Sequence, residues 1–334
     1  MDILDRIENL AEDWLDEDDH NFQIISARRP RVIRIRNNWL QMLNNFDFKN
    51  RFMLNKEEFN MVLNKIECNI INRTNRNNFI PPVIQLLVTL RFLATGSFVI
   101  AIADFIGISV SSALRIIHKV SIAITELHSE FIKFPTNNND IRQCQIGNFK
   151  LAGFIKVIGA VDCFHVKIQS YGGENSELFR NRKGYFSINV QVIVNSKLQI
   201  LDLVARWPES AHDSTIFDNS RIKARFENLE FGDGILLGDS GYPSLPYLLT
   251  PLQNPQTSSE VLYNEAHIRT RCMVERCFGI LQRKFAVLSL GSRFKTPKRT
   301  LPLITACAIL HNISRLSNPL RVISITICTS LLVI

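Results

Sequence analysis

The stretch Val157-Ile-Gly-Ala-Val-Asp162 sets a short apolar run directly before an acid. A short apolar run with β-branched members is typical of a buried strand. We predict a strand over 154–161, with Asp162 at its end, and an alternating piece over 165–169. An aspartate in that place either begins a turn or belongs to a functional site.

The clearest strand downstream is 186–195, in which polar and apolar residues alternate. Alternation with a period of two is typical of a strand with two different faces. Residues 198–206 are predicted to pair with it across a short turn. Further along we predict a helix near 214–226, a strand at 234–238, and helices near 264–284 and 299–315. This order indicates an α/β (α+β) fold with a mixed sheet flanked by helices.

The part of the chain from Phe46 to about residue 135 has a helical pattern. Asn55 and Glu58 have the spacing of a capping box, which predicts a helix over 56–67. Pro81-Pro82 begins a predicted helix over 83–94, and Gly96 ends it. Residues 135–140 are interpreted as the linker to the strand-rich part.

Two further predicted helices, 100–106 and 111–120, flank a tight turn at Gly107-Ile-Ser109. This is the outline of a helix-turn-helix, a common DNA-binding unit. Arg115 and Lys119 on the second helix suit contacts to phosphate. An ordinary helical hairpin has the same outline, and the sequence leaves both interpretations open.

The charge of the chain is uneven. Residues 1–20 carry nine acids against one base, and the rest of the chain carries 38 bases against 22 acids. Apolar residues at helical spacing predict an amphipathic helix over 2–16, which packs on the body, docks a basic partner or covers the basic surface. A basic arm over 27–36 follows, as a linker, an import signal or a DNA contact. The basic remainder favours a polyanionic partner, nucleic acid first.

The cysteines, the first 20 residues and the apolar runs favour a protein of a reducing compartment that does not insert into a membrane. The seven cysteines have no repeated spacing and the first 20 residues are acidic, so we expect free thiols and no secretory signal. Cys163, His165, Cys272 and Cys277 do not match a zinc pattern. Apolar runs fall short of the roughly 18–20 residues that a membrane span needs, so we expect no membrane insertion. No function is assigned to the apolar, β-prone tail over 322–334.

Four acids stand at wide intervals in the strand-rich part: Asp162, Asp213, Asp239 and Glu275. Cleavage of a phosphodiester is helped by two divalent ions roughly 3.5–4 Å apart, which activate water and offset charge on the leaving oxygen. Magnesium prefers oxygen ligands, so carboxylates brought together from distant parts of a chain suit it.

Each acid also has a purely structural interpretation. Asp162 and Asp239 suit turns, and Asp213 suits the N-cap of a helix that begins at Ser214. Glu275 lies one helical turn after Arg271 and suits a salt bridge with it. The joint arrangement of the four, rather than any one, favours a metal site.

Five ordered motifs carry a resemblance to the PIF/Harbinger transposases and the nucleases derived from them, and the likeness extends from about Phe52 to Ile313. The motifs are Gly159-Ala-Val-Asp162-Cys-Phe-His165-Val, Asn181-Arg-Lys-Gly184-Tyr-Phe-Ser187-Ile-Asn189-Val-Gln191, Trp207-Pro208 through His212-Asp213-Ser, Leu237-Gly238-Asp239-Ser-Gly241-Tyr242, and Val274-Glu275-Arg-Cys-Phe278-Gly279. Cys163 departs from the family, which often has glycine there.

The resemblance implies an RNase H-like DDE nuclease domain at 149–316, behind a helix-turn-helix-like region at 46–135. The acidic helix and basic arm at 1–45 and the tail at 317–334 flank them. It implies catalytic roles for Asp162, Asp239 and Glu275, and binding of Mg or Mn by these three and Asp213. All four acids are present, so the expected activity is a metal-dependent DNA endonuclease.

The resemblance also implies duplex DNA and a Myb-like DNA-binding protein as partners, and a nuclear location with a cytoplasmic pool. A homo-oligomer is compatible with the sequence. The basic residues expected to contact DNA are Arg180, Arg182, Lys183, Arg115, Lys119 and Arg276. His165 and His212 flank two of the acids and either orient them or belong to the core.

Two rival functions remain open from sequence. One is a catalytically silent DNA-binding or scaffold protein that keeps the fold. The other is a metal-dependent phosphohydrolase of small substrates, which would not show salt-sensitive binding to duplex DNA.

Overall fold

The computed structural model describes residues 36–37, 39–71, 79–170, 176–181, 184–208, 210–294 and 297–317. The predicted acidic helix, the basic arm up to residue 35 and the apolar tail lie outside these residues, as do Arg182 and Lys183. The cysteines within the described residues are all free thiols, as expected: Cys68, Cys144, Cys163, Cys272, Cys277 and Cys307.

The helical region begins with four helices, and local sequence signals mark the start of the third and the end of the fourth. In the capping box, Asn55 Oδ1 accepts from Glu58 N at 2.7 Å and Glu58 Oε2 accepts from Asn55 N at 2.9 Å, as predicted. Gly96 ends the later helix in the left-handed conformation that glycine tolerates (φ +58°). The helices to this point are α1 (Trp39–Met42), α2 (Asn45–Phe52), α3 (Lys56–Ile70) and α4 (Pro82–Thr95).

The predicted helix pair around Gly107 is present. Its members are α5 (Val99–Ile106) and α6 (Val110–Thr125), bent by 100°. Gly107 has a positive φ and Ser109 caps α6 by accepting from Ser112 N. Within the described residues no single helix is long and apolar enough to cross a membrane, and only this bent pair passes that test when both helices are taken together.

Two helices connect this region to the sheet: α7 (His128–Phe131) and α8 (Asn138–Ala152). The predicted linker at 135–140 is wrong from Asn138 onward. Asn137 caps α8 by accepting from Asp140 N at 2.8 Å. The sequence does not predict this helix because only three of its residues are buried, and these do not form a regular apolar period. The buried residues are Ile141, Asn148 and Leu151.

The sheet has the strand order β3-β2-β1-β4-β5 and is mixed, as predicted. β1 pairs antiparallel with β2, β2 with β3, while β1–β4 and β4–β5 are parallel. One prediction is wrong: β1 does not end at Asp162 but continues through it. The strands are β1 (Val157–Ile168), β2 (Phe186–Val194), β3 (Ile200–Pro208), β4 (Ile235–Leu237) and β5 (Leu248–Leu249), of which β5 was not predicted.

Helices cover the rest of the sheet. The predicted single helix near 214–226 is two short ones, divided where Ser220 caps the second. The long helix near 264–284 begins earlier than predicted, at a capping box formed by Thr257 and Glu260. These helices are α9 (Asp213–Asp218), α10 (Arg221–Glu227), α11 (Ser258–Lys284), α12 (Val287–Leu290) and α13 (Pro297–Ser317).

The two faces of the sheet belong to different apolar clusters. Ala160 and Phe164 of β1 join a large cluster that also contains α11, α13 and the core of the helical region. Ile158 and Val161 join a smaller cluster with Phe217 and α10 on the other face. The register of β1 shifts between Val157 and Gly159, and side chains alternate beyond that point, so Asp162 lies on the first face, that of Ala160 and Phe164, and Cys163 on the second, that of Val161.

Candidate active site

Asp162 lies in the middle of β1 with 15% of its side chain exposed. Its Oδ1 accepts from Cys163 N at 2.8 Å, and its Oδ2 accepts from Arg271 Nη1 at 3.0 Å. Burial raises the pKa of this carboxyl to about 6; Arg271 and the hydrogen bond from Cys163 oppose the shift, and the charges of Asp239 and Asp213 add to it. Asp162 is therefore a largely buried carboxyl group whose one ion-pair partner in the described residues is Arg271.

Glu275 reaches the same arginine from α11. Arg271 Nη2 donates to Glu275 Oε1 at 2.6 Å, because residues four apart on a helix lie on one face. The salt bridge expected from sequence is thus present. The structure adds its second half: one guanidinium joins Glu275 to Asp162, which is 113 residues earlier in the chain.

Asp239 stands beside Asp162 because of strand pairing. Ala160 of β1 pairs with Leu237 of β4 in parallel, and each acid follows two residues later. β4 ends at Leu237, so Asp239 lies just past the end of that strand, and its charge acts on the carboxyl group of Asp162. Asp239 Oδ1 accepts from Gly241 N at 2.9 Å, so the predicted turn is present as well.

Asp213 has different surroundings. It is the first residue of α9, preceded by His212 as the N-cap residue, so its predicted role as the N-cap is wrong by one position. Its Oδ1 accepts from Asn189 Nδ2 at 2.9 Å, and its backbone oxygen accepts from Gln191 Nε2 at 3.2 Å. Asn189 and Gln191 alternate with the first-face residues of β2, so these bonds hold Asp213 at the second face.

Three further polar side chains lie near Asp213 on that face: Gln191, Tyr242 and Cys163. Gln191 Nε2 also donates to the Tyr242 hydroxyl at 3.1 Å, and Cys163 Sγ lies 3.4 Å from the same oxygen. Burial, then the charge of Asp213, raises the pKa of the Cys163 thiol, and burial raises that of Tyr242, so both remain neutral. Cys163 is therefore a packed polar neighbour of Asp213.

Comparisons with known proteins find a matching family and several similar chains. The DDE superfamily endonuclease family matches residues 161–312. A human protein, "Putative nuclease HARBI1", is 35% identical over 249 residues, which cover 74% of this chain and 71% of the human one. The Xenopus laevis protein of that name is 32% identical (77% and 74% covered), and the Arabidopsis thaliana "Protein ALP1-like" is 25% identical (69% and 59% covered).

The chain belongs to the Harbinger transposase-derived nucleases. No solved structure matches it. The family assigns the sheet and its helices to an RNase H-like DDE endonuclease domain.

DDE superfamily endonucleases generally use divalent metals, and the acids of this member of the Harbinger-derived family fit one chemically. Asp162, Asp239 and Glu275 offer hard oxygen donors, and a cation bound beside Asp162 would offset the repulsion that the charge of Asp239 exerts on it. Across the described residues, however, no three His, Cys, Asp or Glu side chains already stand in an arrangement that could hold a metal. Arg271 supplies the positive charge at Asp162 and Glu275.

The basic residues predicted to contact DNA differ in their exposure to solvent and in the contacts they already make. Arg115 is exposed on α6, and Arg276 is exposed on α11 directly after Glu275. Arg180 is exposed, pairs with Glu177 at 2.7 Å and lies over the ring of Phe186.

Lys119 has a structural task. Its Nζ donates to Ile70 O at 2.7 Å, at the carboxyl end of α3, and burial lowers its pKa. A cation in this place satisfies carbonyl groups that a helix end leaves open. Lys119 is therefore better assigned to joining α3 and α6 than to DNA.

Sequence reasoning did not find the roles of Asn189, Gln191 and Tyr242, although all three lie in the family motifs. The sequence did carry a signal, since Asn189 and Gln191 are polar residues in a strand whose other members are mostly apolar. In the structure both side chains are 1% exposed. Buried amides are hydrogen-bonded, so they point to a polar partner across the sheet face.

Proposed function

We propose that the chain is a divalent-metal-dependent DNA endonuclease. The observation that carries the proposal is that Asp239, two residues past the end of β4, is close enough to Asp162 on the neighbouring parallel strand β1 for its charge to act there, while Arg271 joins Asp162 to Glu275. Asp162, Asp239 and Glu275 would hold Mg or Mn. When bound, such ions supply an activated water and offset the charge of the leaving oxygen.

The protein's own residues then serve the DNA. Arg276, next to Glu275, and Arg115 and Arg180 are exposed cations that suit phosphate groups of a duplex. We propose a Myb-like DNA-binding protein as partner and the nucleus as the site of action, on the strength of the family alone. Co-precipitation with a Myb-like protein and imaging of a tagged chain test these two points.

Plasmid nicking tests the activity. Purified protein with Mn and supercoiled DNA should convert the plasmid to the nicked form, and Asp162→Asn should abolish the conversion. The matched control is Asp233→Asn: Asp233 immediately precedes Gly234 and β4 at the opposite end of that strand, is exposed and pairs with Lys156 at 3.2 Å. Nicking that survives Asp162→Asn would contradict the assignment.

A catalytically silent DNA-binding protein is the second candidate. It is favoured by Arg271, which already neutralises two of the three acids without metal. Folded wild-type protein that binds duplex DNA in a salt-sensitive way but never nicks it with Mg or Mn would establish this alternative.

A further inference from the structure

Arg271 makes two short contacts with acids from different elements. Its Nη1 lies 3.0 Å from Asp162 Oδ2 on β1, and its Nη2 lies 2.6 Å from Glu275 Oε1 on α11. The arginine is 19% exposed and Asp162 is 15% exposed, whereas Glu275 is 48% exposed. The planar guanidinium presents its donors in a fixed fork, so it joins two acids in one geometry.

A second pair on the same helix shows how an ordinary surface ion pair looks in this protein. Arg269 and Glu265 are also four residues apart, but their closest atoms are 3.8 Å apart and both side chains are more than half exposed. Exposed pairs of this kind contribute little to stability. Arg271 differs because it meets a largely buried carboxylate, which is costly to leave without a counter-charge.

We propose that Arg271 is the resident counter-cation of the metal-free site, that a divalent ion displaces it from Asp162 and Glu275, and that the displaced guanidinium then binds a phosphate of the DNA. The inference rests on the proposed function, because it needs Asp162 and Glu275 to be metal ligands. The same oxygens would serve both cations, so the two would compete and metal binding would include the cost of moving the arginine.

The second half of the proposal follows from the length of the side chain. Arg271 is fixed to α11 one turn before Glu275, so a guanidinium that leaves the acids remains at the edge of the site. Arginine binds phosphate through two parallel hydrogen bonds, which gives geometry as well as charge. Arg271 would then be a catalytic residue that contacts the substrate.

Metal titration tests the competition. Isothermal titration with Mn should give roughly tenfold tighter binding for Arg271→Gln than for wild type, because the competing cation is gone. Arg269→Gln is the matched control and should bind Mn as wild type does. Binding by Arg271→Gln that is unchanged or weaker overturns the proposal while the proposed function stands. Failure of wild type and Arg271→Gln alike to bind Mn defeats the proposed function as well.

A measurement on the wild-type protein avoids dependence on a folded variant. Phenylglyoxal modifies free guanidinium groups, and mass spectrometry locates the product. Mn should raise the modification of Arg271 and leave that of the exposed Arg269 unchanged. Modification of Arg271 that does not respond to Mn, in protein that binds Mn by titration, overturns the displacement.

Binding to a phosphorothioate duplex, which resists hydrolysis, tests the phosphate contact. Mn should strengthen wild-type binding by roughly tenfold through the charged hydrogen bonds that Arg271 gains. Arg271→Gln should lose this gain, and Arg269→Gln should keep it. An equal gain in wild type and Arg271→Gln would assign the phosphate contact to other residues and overturn this half of the proposal.

Discussion

Asn189 Nδ2 donates a hydrogen bond to Asp213 Oδ1 over 2.9 Å and holds this acid at the face of β1 opposite to Asp162. The four acids therefore divide: Asp162, Asp239 and Glu275 gather around the first face, and Asp213 is bound among Asn189, Gln191 and Tyr242. Asp213 still acts on the pKa of Asp162 through its charge, but as the weakest of the causes.

We expect this division to appear in metal affinity. Asp162→Asn removes a charged ligand and should abolish Mn binding measured by titration. Asp213→Asn is isosteric and keeps an acceptor for Asn189, so it should retain Mn binding close to that of wild type. If both variants lose Mn binding to the same degree, Asp213 is a metal ligand as well.

Asn189→Ala should lower the free energy of unfolding by about 1–3 kcal/mol, because it removes a buried amide and leaves the half-buried Asp213 without its donor. Urea unfolding measures the change. The control is Asn219→Ala: Asn219 is exposed and donates only within the end of α9, so it should cost less. Equal losses of unfolding free energy would show that the hydrogen bond from Asn189 contributes no more to stability than that of an exposed asparagine.

Asn312 acts as a strand neighbour for the edge of β3. Its Oδ1 accepts from Ile200 N at 2.8 Å, and its Nδ2 donates to Ile200 O at 2.7 Å and to Phe131 O at 2.8 Å. Asn312→Ala should cost about 3 kcal/mol in urea unfolding, since buried backbone groups lose their partners. Asn312→Asp keeps the acceptor alone and should also be destabilised; a neutral effect of either change would contradict this role.

His311 makes stability depend on pH. Burial lowers its pKa from 6.5 to about 4, although its Nε2 contact with Leu198 O at 2.8 Å opposes the shift. As the pH falls, His311 is therefore protonated in the unfolded chain before it is protonated in the folded one. Its contribution to the free energy of unfolding is complete above pH 6.5 and is lost as the pH falls toward 4. The loss amounts to about 3 kcal/mol. Urea unfolding from pH 7 to 4.5 should show this decline in wild type and a smaller one in His311→Gln.

Lys119 and Arg115 on α6 should separate stability from DNA binding. Lys119→Met removes the cation at the end of α3 and should cost about 1 kcal/mol in urea unfolding, with little effect on DNA affinity. Arg115→Gln should leave stability unchanged and lower the salt dependence of duplex binding by roughly one phosphate contact. The opposite pattern would assign Lys119 to DNA and Arg115 to the fold.

Local signals were read correctly where the deciding contacts lie within a few residues. The capping box at Asn55, the stop at Gly96 and the alternating β2 all follow from neighbouring residues, and each is present. The sequence was less informative where burial decides the outcome. α8 has few buried residues, and β5 has two residues supported by pairing with β4, so neither has a clear period.

The sequence by itself determined the mixed α/β class, the family and the identity of the acids, because period, turn residues and motifs are local properties of the chain. Tertiary structure alone decided that Asp162 lies within a strand instead of ending it, and that Arg271 joins it to Glu275. It also decided that Asp213 belongs to the other face. The physical reason is that strand pairing and helix packing set which distant side chains meet, and a strand sends successive residues to opposite sides.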